Sequence, residues 1–161
     1  MVFIQLGKTC HSSHIGQISQ MQRIMSTFKM AVLYAKSVLQ DQALKLAYKA
    51  KAKRGQSAFN RAIADFFKPP VISDVDLTQL SNQAGSSILA QVTDDFRLEA
   101  VKVKIEKPGG ILIEEVDAVI QQDGLHWKYS VTSAGANGTG NVITVTAVDL
   151  PGHSIVEQKT I

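Results

Sequence analysis

The sequence predicts an α+β fold with its two classes segregated along the chain. A helical N-terminal arm over residues 1–70 is followed by a seven-stranded antiparallel β-sandwich over 71–161. Two observations predict it. Apolar residues recur every three or four positions before Lys68-Pro69-Pro70 and every second position after it. The charge changes sign at the same place. Residues 1–70 carry 11 Lys and Arg against two acids, Asp41 and Asp65, a net of +9. Residues 71–161 carry 6 against 12 acids, a net of −6, and the two halves return the overall +3. Two coincident breaks mark a domain boundary.

Val2 to Leu6 is a short apolar run, and Ser12 or Ser13 is a fitting N-cap for a first helix. That helix is expected over about 14–39. Ile18, Met21, Met25, Phe28, Val32, Ala35 and Leu39 step by three and four in turn, an a/d seam of about three heptads. Gln40-Asp41-Gln42 interrupts it, and Asp41 caps a second helix over 42–54, with Leu44, Ala47 and Tyr48 as its apolar stripe. Arg54-Gly55 ends that helix. Ser57 opens a third, over 58–67, with Phe59, Ile63, Phe66 and Phe67 on its apolar side. Pro69-Pro70 stops it, because proline neither donates to a helix nor permits α geometry before it.

Beyond Pro70, strands are expected at about 71–77, 86–93, 97–106, 111–120, 125–131, 141–148 and 153–160. Val101, Val103 and Ile105 alternate with Lys102, Lys104 and Glu106; Leu125, Trp127, Tyr129 and Val131 alternate with His126, Lys128 and Ser130. Asp94-Asp95, Pro108-Gly109-Gly110, Asp123-Gly124 and Pro151-Gly152 supply turn chemistry between them.

Three segments carry a family resemblance: Asp94-Asp95-Phe96 followed by Val101-Lys102-Val103, then Trp127 to Thr132, then Ile143 to Gly152. In this order they are similar to bacterial immunoglobulin-like modules, over about residues 71–161. His153 stands where those modules usually have Asn. The resemblance implies an immunoglobulin-like sandwich acting as a spacer, an adhesive domain or a virion or surface decoration, and it implies no catalytic residues. The helical arm resembles no family we can name.

Composition narrows the classes further. At 161 residues, 45% hydrophobic and 19% charged, the chain is expected to fold rather than remain disordered. One cysteine, Cys10, excludes an intramolecular disulfide framework. Apolar runs are too short to span a bilayer and no signal peptide is read, which favours a cytoplasmic or virion-associated protein. Nucleophile-elbow, P-loop, zincin and dinucleotide-binding motifs are missing, and adjacent Glu114 and Glu115 on a strand point to opposite faces. We therefore expect a non-enzymatic protein with no cofactor.

Four features are candidate sites. The seam from Ile18 to Leu39 is the expected contact with a second copy or a protein partner, since a helix does not leave such a stripe in water; the plainer alternative folds it onto its own chain. Lys45, Lys49, Lys51, Lys53 and Arg54 form a basic face suited to phosphate backbones, although only Tyr48 interleaves with them and a solvated lysine face is the simpler reading. Sandwich topology brings Asp94-Asp95, Asp123 and Asp149 to one end, beside the entry of the basic arm. That acidic rim would receive the arm or, through Asp94, Asp95 and Asp149, a calcium ion. Cys10 and His14, four apart, have zinc-ligand chemistry but lack a full set of four ligands.

Overall fold

A computed structural model of the protein describes residues 12–161, with side chains described from Ser19 onward. Three helices come first: α1, Ser12–Val38; α2, Gln42–Lys51; and α3, Ala58–Phe66. Two caps lie where the sequence places them. The Asp41 carboxylate accepts the N–H groups of Ala43 and Leu44 at 2.7 and 3.1 Å, and the Ser57 hydroxyl accepts that of Asn60 at 3.1 Å. The second helix stops at Lys51, three residues short of the expected Arg54, with Ala52 already extended. Gly55 turns the chain beyond it at a φ of 81°.

Eight strands follow: β1, Val71–Asp76; β2, Ser87–Thr93; β3, Leu98–Lys107; β4, Ile111–Asp117; β5, Val119–Ile120; β6, His126–Ser130; β7, Val142–Asp149; and β8, Ser154–Thr160. They form two antiparallel four-stranded sheets, ordered β1-β2-β6-β5 and β4-β3-β7-β8. The sequence predicts seven strands, and the difference lies at 111–120. Asp117 still pairs with Lys102 of β3, whereas Val119 pairs with Lys128 of β6. Ala118, buried between them, donates its N–H to Val101 O at 2.7 Å as the chain changes sheets. A small side chain is what that passage requires.

The two sheets share one apolar core. Ile88, Ala90, Val92 and Tyr129 of the first sheet meet Val101, Val103, Ile105, Ile143, Val145 and Ala147 of the second. The pairing of Leu98 with Asp149 and of Gln91 with His126 brings the β2–β3, β5–β6 and β7–β8 loops to one end. The chain divides into two compact units between Ile63 and Ala64. The last turn of α3 belongs with the sheets: the Phe66 ring stands edge-on to His153 with centroids 5.1 Å apart, and Lys68 Nζ lies 3.2 Å from Asp95.

Candidate functional site

The first helix carries two apolar stripes with different fates. Ala31 and Ala35 are fully buried and Val32 is half-buried. Tyr34 and Tyr48 share a hydrogen bond between their hydroxyls at 2.7 Å, which ties α1 to α2. One turn earlier the seam is bare: Met21, Met25 and Phe28 are 65%, 56% and 52% exposed. Ile24 is exposed beside them, so positions 21, 24, 25 and 28 make one continuous face at helical spacing. The Ile18 side chain, like Cys10 and the His14 side chain, lies outside the described residues. Leu39, half-buried, falls just past the end of α1.

The seven seam positions therefore do not act as one strip. An ideal helix drifts about 20° per heptad against a 3.5-residue repeat. Phe28 and Ala35, one heptad apart, therefore point in nearly the same direction, and the difference lies along the helix: burial begins at Ala31, in the half of α1 that Tyr34 ties to α2.

On the basic face, Lys45, Lys49, Lys51, Lys53 and Arg54 are all exposed, the first three on α2 and the last two just beyond it. Lys68 extends the basic run by sequence, but its nitrogen is directed to Asp95 of the rim.

The rim aspartates share one end of the sheets, and Asp94, Asp123 and Asp149 each serve their own turn. Asp94 accepts the N–H of Phe96 at 2.9 Å. Asp123 accepts those of Leu125 and His126, both at 2.9 Å, and the His126 ring. Donation from the His126 and Leu125 N–H groups, then from the ring, pulls the Asp123 carboxyl down to about 2. Asp149, buried, accepts the N–H of His153 at 2.6 Å and faces its ring Nδ1 at 2.9 Å. Among the described residues, no group of three or more His, Cys, Asp or Glu is placed to hold a metal ion.

By sequence, Glu114 does no more than oppose Glu115 across a strand. In the structure it is buried, while Glu115 is exposed. Its carboxylate accepts the N–H of Thr132 and of Ser133, and the Thr132 hydroxyl. The buried Tyr129 hydroxyl faces it from beyond strict hydrogen-bonding reach. Burial works against ionisation of Glu114, but donation from Thr132 and Ser133, with the polar Tyr129 hydroxyl close by, outweighs it and holds the carboxyl below its ordinary range. Burial, and then the Glu114 charge, pushes the Tyr129 phenol up. This network is enclosed and fixes the β6–β7 connection.

No family model matches the chain, and no curated protein matches it. A solved structure of an engineered protein superposes on 64% of this chain and 25% of its own, at 15% identity and a TM-score of 0.39. A likeness of that size carries no argument about fold or function.

Proposed function

We propose that this chain is a non-enzymatic assembly or binding protein. In this reading an immunoglobulin-like module carries a helical arm that self-associates or docks on a protein partner. The observation that carries it is the bare face of α1, where Met21, Met25 and Phe28 are each more than half exposed. The immunoglobulin-like part is supported by the sheet order β1-β2-β6-β5 and β4-β3-β7-β8, which corresponds to the A-B-E-D and C′-C-F-G pairing of such folds.

Covering the exposed parts of Met21, Ile24, Met25 and Phe28 is worth roughly 1 kcal/mol each. Association costs at least about 4 kcal/mol in lost rigid-body freedom. The seam alone is marginal, which gives weight to the charge that flanks it.

Size-exclusion chromatography with light scattering on the full chain tests the reading. A mass that is a multiple of the chain, reduced to one chain by Met25→Asp with Phe28→Asp, is the expected result. A monomer that captures no partner contradicts it.

A second reading, nucleic-acid binding, is favoured by one observation: five exposed cations between Lys45 and Arg54 with no acid among them. It requires a shift with DNA or RNA at low salt that fades steeply as salt rises. Lys45→Glu, Lys49→Glu and Lys53→Glu together would abolish that shift.

A further inference from the structure

We infer that Asn137 is a site of self-modification, where the backbone nitrogen of Gly138 attacks the Asn137 side-chain amide and converts it to aspartate or isoaspartate. The inference is independent of the assembly proposed above. The chemistry needs a primary amide followed by a peptide nitrogen that is neither hydrogen-bonded nor shielded by its own side chain. The chain has four asparagines, Asn60, Asn82, Asn137 and Asn141. After Asn60, the Arg61 N–H is engaged by Ser57 O at 2.9 Å. After Asn82, the Gln83 N–H donates to the Ser81 hydroxyl at 3.3 Å. Asn141 is buried, and its amide donates to Gly135 O and Ala136 O, both at 2.9 Å. Asn137 differs on every count. It is half-buried in the β6–β7 connection and is followed by glycine, whose N–H donates to no group among the described residues.

Packing favours the glycine. A Cβ at position 138 would stand 3.1 Å from Asn141 Nδ2 and 3.3 Å from its Oδ1, while Gly138 O accepts the Asn141 N–H at 3.0 Å. The crowding that excludes a side chain there also leaves the nitrogen open to attack. In the first step Gly138 N bonds to Asn137 Cγ and the Cγ–Nδ2 bond breaks. The leaving nitrogen takes the proton from the peptide N–H and departs as ammonia, leaving a five-membered imide. Water then opens the ring. Opening at Cγ gives aspartate, and opening at the backbone carbonyl gives isoaspartate, whose main chain runs through Cβ. Nothing is oxidised or reduced, and the net change is hydrolysis of one side-chain amide.

The Asn137 amide also has a structural task. Its Nδ2 donates to Leu80 O at 3.3 Å, tying the β6–β7 connection to the β1–β2 connection beside the buried Leu80 side chain. Conversion exchanges that donor for a carboxylate, which only accepts, and sets it against a carbonyl oxygen. The tie is lost, and this end of the sheets loosens.

Peptide mass mapping of the full chain, incubated folded at mildly alkaline pH, tests the site. Asn137 should convert ahead of Asn60, Asn82 and Asn141, giving both aspartate and isoaspartate. Asn137→Gln, whose attack would need a six-membered ring, should lose the conversion. If Asn137 keeps its amide in the folded chain but converts in the urea-unfolded chain, the fold protects it and the inference falls. Earlier conversion of any other asparagine also overturns it. Asn137→Asp, the product itself, should melt a few degrees below the wild type; equal melting would contradict the loosening.

Discussion

The carboxylate of Glu114 on β4 accepts the N–H and the hydroxyl of Thr132, which lies just past the end of β6 in the opposite sheet. With the Ser133 N–H, three donors of one loop converge on a single buried acid. The two sheets are thus joined by a charge-assisted contact as well as by their core.

Replacing that acid leaves buried donors without partners. Glu114→Ala is expected to cost about 1–3 kcal/mol, read as a lower denaturation midpoint in urea. Glu114→Gln should cost less, because its amide oxygen can still accept one donor. An unchanged midpoint for Glu114→Ala would contradict this role of the contact.

The same carboxyl sets part of the acid limit. Its pKa is lowered in the folded chain, so its contribution is full above the ordinary value of 4.5 and is lost as pH falls through the folded value. Melting temperature measured against pH should fall less steeply on the acid side for Glu114→Gln than for the wild type.

Asp123 gives a second, local readout. Folding pulls its carboxyl to about 2, so its contribution is present above 3.8 and disappears as pH falls through about 2. Carboxyl carbon chemical shifts followed by NMR should place its midpoint well below those of other exposed aspartates. A midpoint at the ordinary value would contradict the hydrogen bonding drawn at this turn.

Gly140 closes the end of the second sheet, donating its N–H to Ile161 O at 2.7 Å with a φ of 83°. A Cβ there would stand 2.9 Å from Pro108 Cγ. Gly140→Ala combines a left-handed backbone with that clash and is expected to destabilise by about 1–3 kcal/mol. Gly85→Ala, with a φ of 90° but open space around it, should cost the backbone part alone.

Much of this architecture is legible in the sequence because period-two alternation is local. Val101, Val103 and Ile105 fix which face of β3 is inward, and their burial follows. The change of sheet at Ala118 is not legible, since no Gly or Pro breaks Ile111 to Ile120 and the crossing depends on which strand each half meets. The burial of Glu114 is equally hidden. A glutamate beside a second glutamate reads as solvent-facing, and only the fold brings Thr132 and Ser133 to it.

On α1, Met21, Met25 and Phe28 have the spacing of an interface. The sequence alone does not separate them from Ala35, which is buried.

Assembly through the α1 seam is tested most directly by the mass of the full chain in solution, measured by light scattering with and without Met25→Asp and Phe28→Asp. The expected result is a multiple of the chain mass that collapses to a single chain in the variant. A wild type that stays monomeric at every concentration reached, alone and with any partner, would contradict it.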